Sequence, residues 1–147
     1  MWQDVLVLLG GFLTALGAAL LFHVPVRQAV ICGGIGVIAV VVKMASGSVS
    51  DSTVITTFLA ALTAAVFSHA AARMEKMPVT VFLIPCIFPF VPGTGMFQIV
   101  YSLIEGRPAD ATSYFFQTME VAGAIALAIF AVDTIFKNRV NVHTKCT

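Results

Sequence analysis

Long apolar runs separated by short polar turns make up most of the chain, and they predict a bundle of membrane-spanning helices. Four of these runs, 18 to 26 residues long, contain no proline: 5–22, 28–45, 53–72 and 111–136. Helices of this length suit a hydrocarbon core about 30 Å thick, because each residue adds about 1.5 Å. No internal repeat or linker divides the chain, so we expect one all-α membrane domain over 1–147.

A fifth apolar run, 79–104, is interrupted by prolines and glycines. They are Pro85, Pro89, Pro92, Gly93 and Gly95. Each proline lacks a backbone donor and clashes with the preceding turn, which predicts two short helices, about 79–89 and 94–104, joined by an unwound elbow at 90–93. Bare backbone survives at membrane depth only inside protein or beside water, and broken helices commonly mark transporter binding sites. We therefore expect five spans, with function centred on the broken one.

The composition supports the membrane assignment and excludes several function classes. The chain is 59% hydrophobic and only 10% charged, whereas about a quarter of the residues of a soluble domain are charged. A net charge of +1 without a basic patch gives no basis for nucleic-acid binding. No catalytic triad, carboxylate pair or cofactor motif is present, so we expect neither an enzyme nor a bound cofactor. Three widely spaced cysteines fit neither disulfides nor a metal site: Cys32, Cys86 and Cys146.

Basic residues predict the orientation of the spans, because they are more frequent on the cytoplasmic side. If the broken run crosses once, six fall on one side: Arg27, Arg73, Lys76, Lys137, Arg139 and Lys145. The other side then holds Lys43, whose long stem is expected to reach the headgroups from the end of its span, and Arg107. A re-entrant run would divide them evenly, so the bias favours an N-terminus outside and a cytoplasmic tail, 137–147.

Small residues at regular spacing indicate close helix packing. Runs 5–22 and 28–45 are rich in glycine, and run 53–72 carries small residues four apart at Ala60, Ala64, Ser68 and Ala72. Residues at this spacing share one helix face and let two backbones approach closely in lipid. We expect these faces to be helix–helix contacts.

The elbow offers a binding site for a small anion. The helix after the break is expected to begin near Thr94, with free N–H groups and a partial positive charge that attract a carboxylate. Thr94 is the expected cap, glycines allow close approach by a ligand, and an amide adds a donor and an acceptor. The predicted substrate-binding residues are Pro92, Gly93, Thr94, Gly95 and Gln98. The alternative is a packing kink that Thr94 merely caps.

Glu120 is a carboxylate inside an apolar run, which makes it a candidate for function. It falls at helical spacing with Ser113, Gln117 and Ala124, so this polar stripe can point inward together. Burial favours the protonated acid, which suits a group that exchanges protons during transport. The alternative is a protonated structural acid bonded to a neighbouring helix.

Other ionisable residues favour structural interpretations. Asp133 and Lys137 are four residues apart near the end of the last run, which predicts an interfacial ion pair. His69 lies at the end of run 53–72 and is expected to be structural or interfacial rather than a proton carrier.

Two short segments resemble the threonine/serine exporter family. Residues 22–27, Phe-His-Val-Pro-Val-Arg, are similar to that family's Phe-Asn-Val-Pro-x-Arg turn, with His23 at the position that is most often Asn. Residues 76–93, from Lys-Met-Pro-Val to Phe-Pro-Phe-Val-Pro-Gly, resemble its segment that ends in a Phe-Pro-Gly or Val-Pro-Gly break. The order and spacing of the spans also match the family's C-terminal half, which in many bacteria is a separate small protein.

The resemblance implies a bacterial inner-membrane exporter driven by the proton gradient. It also implies a larger membrane partner subunit, and substrates such as threonine, serine or succinate, which share a carboxylate. We therefore expect one subunit of a proton-coupled exporter of small carboxylate-bearing metabolites, with Glu120 exchanging protons. Two alternatives stay open: an accessory subunit that only stabilises the larger transporter, and a homo-oligomeric channel.

Overall fold

The computed structural model describes residues 2–47 and 52–143, and every regular element in these two ranges is helical. The helices are α1 (Trp2–Leu21), α2 (Val26–Gly47), α3 (Thr53–Glu75), α4 (Thr80–Ile87), α5 (Gly93–Ile104) and α6 (Pro108–His143). A 3₁₀ turn, Phe88–Phe90, follows α4. The prediction of an all-α membrane fold is confirmed.

Four helices are long and apolar enough to cross a membrane, namely α1, α2, α3 and α6. The segments Thr80–Phe90 and Gly93–Ile104 together form a candidate fifth span, bent by 48° at the break. With a bend of this size the two segments still run in roughly the same direction, which fits a single crossing of the membrane with a break in it. Helix α6 continues through 137–143, where the sequence predicts a tail, and residues 144–147, with Cys146, lie outside the described part of the chain.

The short helix α4 occupies the middle of the bundle. It packs against α1, α2 and α3, while α1 packs on α2, α2 on α3, and α3 on α6. Phe82, Pro85 and Cys86 of α4 are fully buried. Helix α5 packs mainly on α6 and lies at the edge of the bundle, so the two halves of the broken span have different surroundings.

Small residues bring the long helices together as predicted. A Cβ added to Gly36 of α2 would lie 2.8 Å from the Cβ of Ala15 in α1, closer than real contacts allow. The small-residue face of α3 is also buried, with 0% exposure at Ala60 and Ala64 and 3% at Ala72. Both contacts depend on backbones that approach without intervening side chains.

Proline inside α4 leaves one backbone carbonyl without its helical hydrogen bond, and a side chain of a neighbouring helix provides the donor instead. Pro85 has no N–H to donate to the carbonyl of Val81, four residues earlier. The Cys32 thiol of α2 donates to this oxygen, with Sγ 3.9 Å from it. In return the Cys86 thiol donates to the backbone oxygen of Cys32 at 3.5 Å. Two thiols therefore join α2 to the proline-containing helix.

The turn between α5 and α6 is tied by ion pairs between its side chains. Arg107 forms an ion pair with Glu105 and lies 3.4 Å from the carboxylate of Asp110. Hydrogen bonding from Tyr101, followed by that from Arg107, holds the pKa of Glu105 below its ordinary value. These contacts make α5 and α6 a connected helical hairpin.

Candidate functional site

A cavity of about 670 Å³ lies beside the elbow, between the end of α2, the start of α3 and the middle of α6. Its polar lining includes Lys43, Thr57, Thr94, Gln98, Gln117 and Glu120. The elbow itself contributes Pro89, Phe90, Val91 and Pro92. The broken span and the intramembrane carboxylate, which are far apart in sequence, thus border one space.

Four of the five predicted elbow residues line this cavity: Pro92, Thr94, Gly95 and Gln98. Gly93 is exposed and is not part of the lining. The expectation that Thr94 caps α5 is wrong, because Pro92 occupies the cap position, without a side-chain hydrogen bond, and the helix begins at Gly93. Proline suits that position since the first-turn N–H groups have no intrahelical acceptor.

Gly95 lies in the contact between α5 and α6, where it allows the two helices to approach closely. A Cβ at this position would overlap Oγ1 of Thr118, which donates a hydrogen bond to the carbonyl oxygen of Tyr114 at 2.7 Å. The missing side chain of Gly95 therefore makes room for Thr118 rather than for a ligand. By contrast, a Cβ on Gly93 would meet no atom within 4 Å.

Glu120 lies where two spaces of different polarity meet. It lines the polar cavity with Gln117, and it also borders an apolar groove of about 410 Å³ between α3 and α6. Phe58 and Leu127 are among the side chains of that groove. Ser113 completes the predicted stripe in sequence but is absent from the lining of either space, and all three polar residues are exposed on the single chain.

Lys43 is a cavity residue that sequence reasoning missed. Its side chain is half-buried and turns to the elbow, with Nζ 5.7 Å from the centre of the Phe90 ring. No carboxylate of the described residues lies within ion-pair distance of it. The expectation that Lys43 reaches the headgroups stays a prediction. The signal in the sequence was a basic residue near the end of a membrane span. The direction of its side chain, however, depends on how α2 is rotated about its axis.

Thr57 is the second residue that was missed. Its side chain lines the cavity and is 1% exposed, yet its hydroxyl has no hydrogen-bond partner in the described part of the chain. Other helical threonines, Thr14, Thr63, Thr112, Thr118 and Thr134, donate to the carbonyl four residues earlier. A buried hydroxyl without this bond is unfavourable by about 1–3 kcal/mol.

A second polar cluster joins α3 to α6 at the opposite end of α3. His69 is buried, and its Nε2 lies 3.6 Å from Oδ1 of Asp133. Its ring stacks on Phe136 with centres 4.6 Å apart, and the guanidinium of Arg73 lies 4.9 Å from the same ring. The predicted pair of Asp133 with Lys137 is wrong, since it does not form among the described residues.

No group of three or more metal-ligating side chains occurs within 2–47 and 52–143. The family model described as threonine/serine exporter, ThrE, matches residues 7–135. No curated protein and no solved structure matches the chain. The matched range reaches into all five candidate spans and includes every residue that lines the cavity, as well as His69, Arg73 and Asp133.

Proposed function

The chain belongs to the threonine/serine exporter family, and we propose that it is one subunit of a proton-coupled exporter of small carboxylate-bearing metabolites. Family membership supports an exporter in the membrane. The observation that carries the finer proposal is that the broken span and Glu120 line one cavity. Such a cavity can hold a small polar solute beside the broken span.

The substrate is proposed to be threonine, serine or a dicarboxylate such as succinate. The first turn of α5 carries N–H groups and a partial positive charge that favour a carboxylate. Thr94 and Gln98 of the same helix line the cavity and add side-chain hydrogen bonds. A volume of about 670 Å³ leaves room for a molecule of this size together with water.

Glu120 is proposed to exchange protons during transport. A carboxylate is least unfavourable beside an apolar groove when it is protonated, and least unfavourable beside a polar cavity when it is ionised. Glu120 borders both spaces, so a change in its protonation can accompany movement of solute.

A larger membrane partner and an inner-membrane location complete the proposal. Five spans are an odd number, so paired halves require a second chain or a second copy. Helix α5 presents a wide apolar surface, with Phe97 68% and Ile104 79% exposed, which lipid or a partner would cover. The orientation with the N-terminus outside and the C-terminus in the cytoplasm rests on the distribution of basic residues.

The test is export from proteoliposomes that contain the chain and its partner, purified together from the native membrane. Glu120→Gln should abolish the dependence of export on a pH gradient while substrate exchange across the membrane continues. Asp110→Asn, a carboxylate of the same helix outside the cavity, should leave coupling unchanged. Full coupling in Glu120→Gln would remove this residue from the mechanism.

The channel alternative makes a different prediction. A homo-oligomeric channel formed by this chain alone would conduct ions in a bilayer without a partner and without a pH gradient. The exporter proposal predicts no such conductance, and recordings from the purified chain separate the two.

A further inference from the structure

We infer that the Lys43 ammonium group and the Thr57 hydroxyl form a carboxylate-binding subsite in the cavity that the first turn of α5 also lines. The inference rests on the proposed function and adds to it the side chains that select an anionic group. Both residues lie outside the elbow, one near the end of α2 and the other near the start of α3.

The first support is the charge of Lys43. The Lys43 side chain is half-buried beside Phe90, and no described carboxylate lies within ion-pair distance of its ammonium group. A buried charge is stable only when it is paired or solvated, and the cavity is where either can happen. A lysine also carries a whole positive charge, compared with about half a charge at a helix N-terminus. A carboxylate entering the cavity would therefore be drawn first to Lys43.

The second support is the unpartnered hydroxyl of Thr57. Its side chain is 1% exposed and lines the same cavity, but the hydroxyl makes no hydrogen bond. Neighbouring Thr56 donates to the carbonyl oxygen of Thr53 at 3.0 Å, so the start of α3 does offer such acceptors. A ligand oxygen that reaches this hydroxyl would give Thr57 the missing acceptor, and the bond would be made only when ligand is bound.

The position of Phe90 connects this subsite to the break in the fourth span. Phe90 is 4% exposed and ends the 3₁₀ turn that precedes α5. Its ring is the aromatic partner of the Lys43 ammonium group. A carboxylate is a stronger partner for an ammonium group than an aromatic ring, so binding would draw Lys43 away from Phe90.

The test compares L-threonine with L-threonine amide, which lacks the carboxylate charge, in proteoliposomes that contain the chain and its partner. The native complex should prefer threonine. Lys43→Gln should raise the half-saturating threonine concentration at least about tenfold, with a smaller change in maximal rate. It should also remove the preference for threonine over the amide, whereas Lys43→Arg should keep that preference.

Thr57 is tested by two variants, one that removes the hydroxyl and one that keeps it. Thr57→Val removes the hydroxyl and should raise the half-saturating threonine concentration several-fold, while Thr57→Ser should stay close to the native value. Co-purification with the partner checks that each variant folds. Equal losses for threonine and its amide in Lys43→Gln would assign that residue a structural role and overturn the inference.

A second source of anionic groups is the headgroup of lipids with a net negative charge, because the cavity reaches the start of α3. Reconstitution in phosphatidylcholine with and without phosphatidylglycerol separates the two. If Lys43→Gln alters only the response to phosphatidylglycerol and keeps the preference for threonine, Lys43 binds lipid and the inference fails. Failure of the native complex to export threonine, serine or succinate would instead overturn the proposed function.

Discussion

Nε2 of His69 lies 3.6 Å from Oδ1 of Asp133, across the contact between α3 and α6. The histidine side chain is 7% exposed and the aspartate side chain 63%, so the pair runs from the helix interface outward. At the other end of α3 the same two helices are separated by the polar cavity. The His69 cluster thus fixes one end of a helix pair whose other end borders the candidate site.

His69→Ala is expected to destabilise the protein by about 2–4 kcal/mol, because it leaves a void beside Phe136 and removes a stacked ring. Asp133→Asn should cost about 1 kcal/mol or less, since the carboxylate is largely exposed. Thermal unfolding in detergent measures both. Lys137→Gln is the matched control and should leave the melting temperature unchanged; a loss equal to that of Asp133→Asn would restore the pair predicted from sequence.

Gly95→Ala should weaken the contact between α5 and α6, because the new methyl group meets Oγ1 of Thr118. The expected decrease in the free energy of unfolding is about 1–3 kcal/mol. Adding Thr118→Ala should recover much of it, since only ordinary contact with the Cβ at 3.5 Å then remains. A double-mutant cycle on unfolding midpoints gives the coupling energy.

Gly93→Ala is the control for that cycle, because its Cβ would meet no atom within 4 Å. It should leave stability unchanged or improve it slightly. Equal effects of alanine at the two glycines would show that Thr118 does not limit the approach of α5 to α6.

Gly36→Ala should loosen the contact between α1 and α2, where its Cβ would lie 2.8 Å from Ala15 and 3.3 Å from the backbone oxygen of Gly11. Neither atom belongs to a flexible side chain, so the helices must separate. Gly34→Ala faces open space on the same helix and should stabilise it by up to about 1 kcal/mol. Opposite shifts in melting temperature are expected, and a rise for both variants would contradict the close contact.

Cys32→Ala should destabilise the protein by about 1–2 kcal/mol, because it empties a fully buried site and leaves the carbonyl of Val81 without its donor. Cys32→Ser keeps a donor of similar size and should lose less. Cys86→Ala and Cys86→Ser repeat the comparison on α4. If alanine and serine behave alike at both positions, the thiol hydrogen bonds contribute nothing measurable.

The helices were predictable from the length of the apolar runs. The break in the fourth span was predictable because proline acts locally: it removes a backbone donor at its own position whatever surrounds it. The position of Glu120 in the cavity beside the elbow also follows from helical spacing, because Glu120 and Gln117 share one face of α6 and α5 packs against α6. The partners of Lys43 and Asp133 were not predictable. Their directions depend on how α2 and α6 rotate about their axes, and that rotation is set by packing between helices distant in sequence.

The start of α5 shows a finer limit of sequence reasoning. Thr94 has the right chemistry for a cap, and Pro92 has none, yet Pro92 occupies the cap position. The N–H of a residue just before a helix has no intrahelical acceptor, so proline, which lacks that N–H, is tolerated there without a side-chain cap.

Helix α5 is attached to the rest of the bundle mainly through α6 and through the two-residue link Val91–Pro92. A tilt of α5 about this link changes the width of the space beside Lys43 without unpacking α1 to α4. We therefore expect the link to be the point where the angle between α4 and α5, now a bend of 48°, can change. A transport cycle that opens the cavity to one membrane face at a time would need such a change of angle.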